Sequence, residues 1–206
     1  MKKIALMAVV ALAAFSAQAD TITGLHNTGS GTGTDDYYLV DGHAAYITTS
    51  GSFPFGYWTE NTGTSKWLTP TSAQGATFDP SSDGTYTWTL NFNLGAQYNA
   101  STASFSGHFG ADNSAIAYLN GVEIGTTGGF GAADFSSFTA ASGFHTGNNV
   151  FSVVVTNFAQ NGGNPTGLRV EFDQSSVAAV PEPETYAMLL AGLGMLGLAA
   201  RRRKAR

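Results

Sequence analysis

Few side chains in this sequence have the type and spacing for chemistry, and the best of them are aromatic. Tyr57 and Trp58 lie in Gly51-Ser-Phe-Pro-Phe-Gly-Tyr-Trp-Thr-Glu-Asn61, a segment punctuated by Gly and Pro that carries four aromatic residues. An exposed aromatic face can stack on the apolar face of a sugar ring while nearby amide and carboxyl groups bond the hydroxyls. Tyr57, Trp58 and, at the start of a strand, Trp67 are therefore candidate ligand contacts. The competing reading packs these rings beneath their own loop as a satellite cluster. Trp88 falls on the apolar side of an alternating segment and reads as core.

The carboxylates point in a second direction. Calcium takes six to eight hard oxygen ligands, several of them carboxylate. Asp35 and Asp36 with Asp41, and Asp112 beside Asn113, could contribute to such a set, and Asp79 with Asp83 is a further pair. None follows the spacing of an EF-hand loop, and aspartates in turns commonly cap their own backbone. No cofactor is required by these residues, and a structural calcium on Asp35, Asp36, Asp41 and Asp112 is the one candidate. The four histidines (His26, His43, His108, His145) are scattered and the chain has no cysteine, so zinc, iron–sulfur and thiol chemistry are not expected. No G-x-S-x-G elbow is present. Between residues 20 and 180 the only glutamates are Glu60, Glu123 and Glu171, with nothing to bring two of them to glycosidase spacing. The expectation is a non-enzyme with no catalytic residue.

Both ends carry address labels. Met1-Lys-Lys is a positive n-region, Ile4 to Phe15 an apolar h-region, and Ala17-Gln18-Ala19 a small-residue cleavage site. Residues 1–19 thus read as a secretory signal helix cut by signal peptidase, with Asp20 as the mature start. At the other end Val180-Pro-Glu-Pro precedes an uncharged run from Tyr186 to Ala200, and Arg201-Arg-Arg-Lys-Ala-Arg206 follows. Pro181 and Pro183 fix φ and remove donors, so Pro-Glu-Pro reads as extended. The apolar run reads as a transmembrane helix at about 186–200, short of the ~20 residues that span hydrocarbon comfortably. The basic tail, 201–206, holds its end on the cytoplasmic side.

This order of parts resembles the PEP-CTERM sorting signal of Gram-negative, exopolysaccharide-producing bacteria. The resemblance covers the tail alone. It implies that Pro181, Glu182 and Pro183 are recognised by the membrane protease-transpeptidase exosortase and that Arg201, Arg202 and Arg203 form the stop signal. It also implies export by the general secretory route, transient insertion in the inner membrane, and release to the cell surface or extracellular matrix.

The segment between the two labels must position any site. Of nine Lys and Arg, two lie in the first three residues and five in the last six, which leaves Lys66 and Arg169. Twelve of the fourteen acids remain, so residues 20–180 carry a net charge of about −10. Such a surface repels nucleic acid and acidic polysaccharide, and leaves neutral glycans, divalent cations and proteins as partners. About 160 residues suit one domain with a sizeable core.

Alternation, not helical periodicity, runs through this segment. In Thr85 to Leu94, Tyr86, Trp88, Leu90, Phe92 and Leu94 fall on one face and Thr or Asn on the other. Ser104 to Phe109, Ala115 to Leu119, Val122 to Ile124, Asn149 to Thr156 and Leu168 to Phe172 read as further strands. Tyr37 to Val40 and Ala44 to Thr48 flank Asp41-Gly42, and Asn120-Gly121 marks a tight hairpin. Asn149 to Thr156 reads as a central strand, apolar on both sides, and Glu171 as facing outward.

The predicted class is mainly β, a jelly-roll-like β-sandwich over 20–174, with 175–180 as linker and 181–206 as the sorting signal. The run Phe109-Gly-Ala-Asp-Asn-Ser-Ala-Ile-Ala-Tyr-Leu-Asn-Gly-Val-Glu-Ile-Gly125 resembles the middle of galactose-binding-domain-like jelly rolls. Ser65 to Leu68, Tyr86 to Leu94 and Gly147 to Val150 are similar to other segments of that fold. The resemblance, over about residues 36–173, implies either a carbohydrate-binding module for exopolysaccharide or a structural domain of the biofilm matrix with no sugar site. A hydrolase is the third alternative.

Overall fold

The computed structural model describes residues 19–181 and 183–204. Eleven strands form one compact unit over Ala19–Val180, and among the described residues of a second unit there is one α-helix. The strands are β1 (Ala19–Asp20), β2 (Thr34–Val40), β3 (His43–Ile47), β4 (Leu68–Thr69), β5 (Gly84–Leu94), β6 (Ser104–Asp112), β7 (Ser114–Leu119), β8 (Val122–Thr127), β9 (Ser136–Ala140), β10 (Gly147–Asn157) and β11 (Gly167–Ala178). The signal helix expected at residues 1–19, with Ala17, falls outside the described residues except for Ala19.

Strand order is β8-β7-β10-β5-β2-β3-β4-β11-β6-β9, with β1 added to β11. Every pairing is antiparallel, as short connections allow. The longest ladder joins β5 and β10, from Leu94 opposite Gly147 to Gly84 opposite Asn157. The path folds over at the β2–β3 hairpin, whose turn residues Asp41 and Gly42 have φ of 48° and 79°. It therefore makes two facing layers. Phe151 of β10 meets Phe138 of β9 and Phe172 of β11 at ring-centroid distances of 5.3 and 5.2 Å, and Phe92 of β5 meets Phe105 of β6 at 6.3 Å. These rings, with Trp88, Leu90, Leu119, Val153, Leu168 and Val170, form the core. Edge strands β8 and β9 also approach closely: a Cβ on Gly125 would lie 3.0 Å from the Ser137 carbonyl oxygen. The sandwich is thus a flattened, nearly closed barrel, jelly-roll-like in character.

The alternating segments lie where the pattern puts them. Trp88, Leu90, Phe92 and Leu94 of β5 are buried while Asn91 and Asn93 are exposed. The Asn120-Gly121 turn joins β7 to β8 with both φ positive, 50° and 82°. β10 departs from the expectation of two apolar faces. Phe151, Val153 and Val155 are buried, but Val150, Ser152, Val154 and Thr156, on the face turned away from the core, are only half-buried.

The expected linker at 175–180 is corrected. Ser175 to Ala178 continue β11, with Val177 fully buried and opposite Asp20. Tyr98 bridges Ala179, and the Val180 N–H donates to the Gln97 carbonyl at 2.7 Å. Ordered backbone pairing thus reaches to the residue before Pro181.

The helix, α1, spans Pro183–Lys204 and is longer at both ends than the expected 186–200. Pro183 takes the first helical position, where a missing N–H has no intrahelical partner to lose, which corrects the expectation that Pro183 is extended. Glu182 lies outside the described residues. Arg201, Arg202 and Arg203 fall in the last turn of the helix. Among the described residues, no helix is long and apolar enough to cross a membrane.

Candidate glycan-binding cleft

The aromatic loop is built by local turns. The N–H groups of Tyr57 and Trp58 both donate to the Pro54 carbonyl, and Phe55 bridges Trp58. The Gln74 amide fixes the rim by donating to the carbonyls of Thr49 and Phe53. This geometry sends successive side chains opposite ways. Tyr57 is 72 % exposed and Phe53 is 42 % exposed, with their rings edge to face at 6.2 Å.

Trp58 points inward, which corrects the expectation that it offers a stacking face. It is 3 % exposed and its indole lies 4.6 Å from that of Trp67. Its ring also crosses the start of β11 at Gly167, where a Cβ would come within 2.3 Å of Cη2, so only glycine admits it. Trp67 is wholly buried and donates from its indole N–H to the Thr59 carbonyl at 2.8 Å, so it too is structural. Of the three aromatic candidates, Tyr57 alone presents a free face.

Tyr57 stands over a cleft of about 390 Å³. Phe53, Pro54 and the edge of Trp58 line one side, Asp112 and Asn113 at the β6–β7 junction line the floor, and Phe130, Gln160 and Asn164 complete the wall. Asp112 is 5 % exposed, and its Oδ2 accepts the Trp58 indole N–H at 2.8 Å. Burial pushes its carboxyl up to about 6, against the opposing pull of that hydrogen bond. Among the described residues, no group donates to Oδ1. Asn113 accepts the Phe158 N–H at 2.7 Å, which sets the orientation of its side chain at the floor. Asn164 donates to the carbonyls of Phe78 and Phe158, fixing the far wall. A carboxyl, amides and exposed rings thus converge on one concavity.

A larger, shallower groove of about 790 Å³ lies along residues 21–30, 63–64 and 172–175. Its His26 ring stacks on Tyr37 at 3.5 Å, and the Asn27 side chain is spent on the backbone of Phe172 and Thr64. It offers no comparable free aromatic face, so the site is placed in the smaller cleft.

The aspartates proposed for calcium do not converge. Asp35 is buried, and its two oxygens accept four backbone N–H groups, those of Gly29, Ser30, Tyr37 and Tyr38, at 2.6 to 3.1 Å. That makes it a loop-organising anion with its lone pairs already used. Asp41 accepts the Thr87 N–H at the hairpin, Asp36 is exposed, and Asp112 faces the cleft. Among the described residues, no three His, Asp or Glu side chains form a metal-holding set. The donor arrangement does not fit calcium at these four residues.

A separate group of ionisable residues around Arg169 forms a fastening that the alternation did not reveal. Arg169 is buried, and its guanidinium bonds the Ser65 hydroxyl, the Glu60 carbonyl, Thr62 and Glu171. It also lies 5.5 Å over the Phe135 ring. Glu171 was expected to face outward, but loop 59–66 covers that side of β11, and its carboxylate accepts from Ser65 and Arg169. Burial alone would raise the Glu171 carboxyl; the Ser65 hydroxyl, Arg169 and His108 outweigh it and hold it below its usual range. His108 is bracketed by Glu171 and Asp173, each at 3.2 Å. These groups are engaged with one another, and Glu60 enters through its backbone.

The molecule is thus a jelly-roll-like β-sandwich with an aromatic-rimmed cleft and a separate C-terminal helix. Residues 179–204 match the PEP-CTERM protein-sorting motif, and the chain carries that signal. No curated protein matches the sequence. Among solved structures, the chain is similar to a family 35 carbohydrate binding module from an environmental isolate, at 15% identity and a TM-score of 0.33, over 75% of this chain and 98% of that one. It is similar to the CBM36-1 domain of a multidomain xylanase from the hindgut metagenome of Trinervitermes trinervoides, at 13% identity and a TM-score of 0.28, over 70% and 99%. A protein described as a β-galactosidase from Bacteroides fragilis matches at 19% identity and a TM-score of 0.26, over 43% of this chain. The chain spans 15% of the length of that protein. At these scores none of the three bears on what the cleft binds.

Proposed function

We propose that this chain is an exported cell-surface or matrix protein whose β-sandwich is a non-catalytic glycan-binding module. The observation that carries the reading is the exposed Tyr57 sharing one cleft with the buried Asp112 and the half-buried Asn113. Stacking on Tyr57 would hold a sugar ring, and the carboxyl and amides would bond its hydroxyls.

The PEP-CTERM motif at 179–204 supports the route. Signal peptidase would cut after Ala19, α1 would sit transiently in the inner membrane, and exosortase would remove it near Pro-Glu-Pro. The host's own exopolysaccharide is then the nearest ligand, and a biofilm matrix the setting.

Calorimetric titration of the full chain with that polysaccharide tests the reading. A saturable signal lost in Tyr57→Ala is expected; no signal in the parent protein would defeat it. One observation favours the second reading, a structural matrix protein without a sugar site: Trp58, the largest ring of the loop, is used as core.

A further inference from the structure

We infer that the cleft takes a sugar residue carrying a protonated amino group, with the ammonium between the free oxygen of Asp112 and the surrounding aromatic rings. The inference rests on the glycan-binding reading of the same cleft and names the class of glycan. Asp112 is 5 % exposed, and only its Oδ2 is bonded, by the Trp58 indole. A buried carboxylate without a cation is costly, and a partner that supplies positive charge relieves that cost.

Among the described residues none supplies such a partner, and no Lys, Arg or His of theirs lines the cleft. Residues 20–180 contain two basic side chains, and Arg169 is committed to Glu171 and loop 59–66. The groups packed around Asp112 are neutral: the Trp58 indole on its carboxyl and the Thr166 hydroxyl on its backbone carbonyl. A sugar hydroxyl alone would be served as well by an amide acceptor, of which the cleft has several.

The rings point the same way. Phe53 and Tyr57 stand edge to face at 6.2 Å on the rim, and Phe130 lies on the wall. Aromatic faces attract a cation through their quadrupole, more strongly where water is excluded. The net charge of about −10 over residues 20–180 draws cationic chains in and repels uronates.

The test compares glucosamine tetramer with its fully N-acetylated counterpart, titrated into the full chain in mild detergent at pH 6.5. Acetylation removes the charge and leaves the rings, so this comparison needs no variant. The amine form is expected to bind at least ~10-fold more tightly, the ratio that about 1.4 kcal/mol supports. Asp112→Asn keeps an acceptor for the Trp58 N–H and is expected to bring the two affinities within about twofold. Glu123→Gln, which removes an exposed acid on β8, should leave the preference intact, separating a local ion pair from general charge attraction. Equal affinity for both tetramers, abolished by Tyr57→Ala, would overturn the ammonium inference and leave the glycan site standing. Binding of neither tetramer and of no host polysaccharide would overturn both.

Discussion

The Trp58 indole N–H and the Asp112 carboxylate meet at 2.8 Å across 54 residues of sequence. This bond ties the inner side of the aromatic loop to the end of β6 and leaves Tyr57 on the outer side. Trp58→Phe keeps a ring but removes the donor, leaving Oδ2 buried without a partner. The expected cost is ~1–3 kcal/mol, the desolvation of an unmade bond. Urea denaturation of the two proteins checks it, and an unchanged midpoint would mean that the bond contributes nothing net.

Asp112 also sets a pH dependence of stability. Burial raises its carboxyl to about 6 in the folded protein, against an unfolded value near 4. The native state therefore binds the extra proton between those values. The associated stability is fully present below about pH 4 and is lost as pH rises through about 6. A shift of about two units corresponds to at most ~3 kcal/mol. Glu171 acts in the opposite sense. Its folded value is depressed, so its contribution is present above the ordinary glutamate range and is lost as pH falls through the lower folded value. Denaturation midpoints at pH 5 and pH 7 should fall with rising pH in the parent protein and stay level in Asp112→Asn.

Gly167 holds the same corner from β11. A Cβ there would lie 2.3 Å from Cη2 of Trp58 and 2.9 Å from the Leu68 carbonyl oxygen. Gly167→Ala must displace the indole, at an overpacking cost of ~1–3 kcal/mol. Because Trp58 forms part of the cleft wall, glycan affinity should fall together with the melting temperature. A variant as stable as the parent would show that the indole has room to move.

How much of this was legible in sequence depends on how far apart the interacting residues lie. β5 announced itself because Trp88, Leu90, Phe92 and Leu94 alternate with polar residues on a strand with one wet face. The Asn120-Gly121 turn was equally plain, since both positions need positive φ. β4, only Leu68–Thr69, and β9, with three Ser or Thr among five residues, are too short and polar to carry a pattern. The inward turn of Trp58 depends on Asp112 and Gly167, both remote in sequence, and no local spacing encodes it. Alternation along β11 put Glu171 on the face turned away from the core, but it could not show that loop 59–66 folds over that face and takes Glu171 out of solvent.

That covered side gives a fourth energetic test. Arg169 and Glu171 meet at 2.8 Å with side chains 5% and 16% exposed. Arg169→Met removes the cation and leaves Glu171 with only Ser65 and His108 for support. Breaking such a pair on one side costs ~3–5 kcal/mol, whereas replacing both members with apolar groups is often near neutral. Arg169→Met is therefore expected to destabilise strongly, and the added Glu171→Leu to recover most of the loss. Additive losses in the double variant would show that the two residues act independently.

The C-terminal signal gives the last test, and the structure sharpens it. β11 stays paired to Ala178, Tyr98 bridges Ala179, and Val180 is bonded to Gln97 at 2.7 Å. Pro181 therefore follows directly on ordered backbone, and Pro183 opens the helix. If the Pro-Glu-Pro element is what the processing enzyme reads, Pro181→Ala with Pro183→Ala should leave the tail attached, and the intact mass of the exported protein should retain residues through Arg206. Normal tail removal in that variant would defeat the assignment. Weakening the clamp instead, with Val180→Pro, deletes the N–H that bonds Gln97 while leaving Pro181, Glu182 and Pro183 unchanged. If access to the signal is limited by the pairing at 178–180, this variant should be processed faster than the parent in a pulse–chase. Equal rates would mean that the enzyme reads the signal without displacing the end of β11.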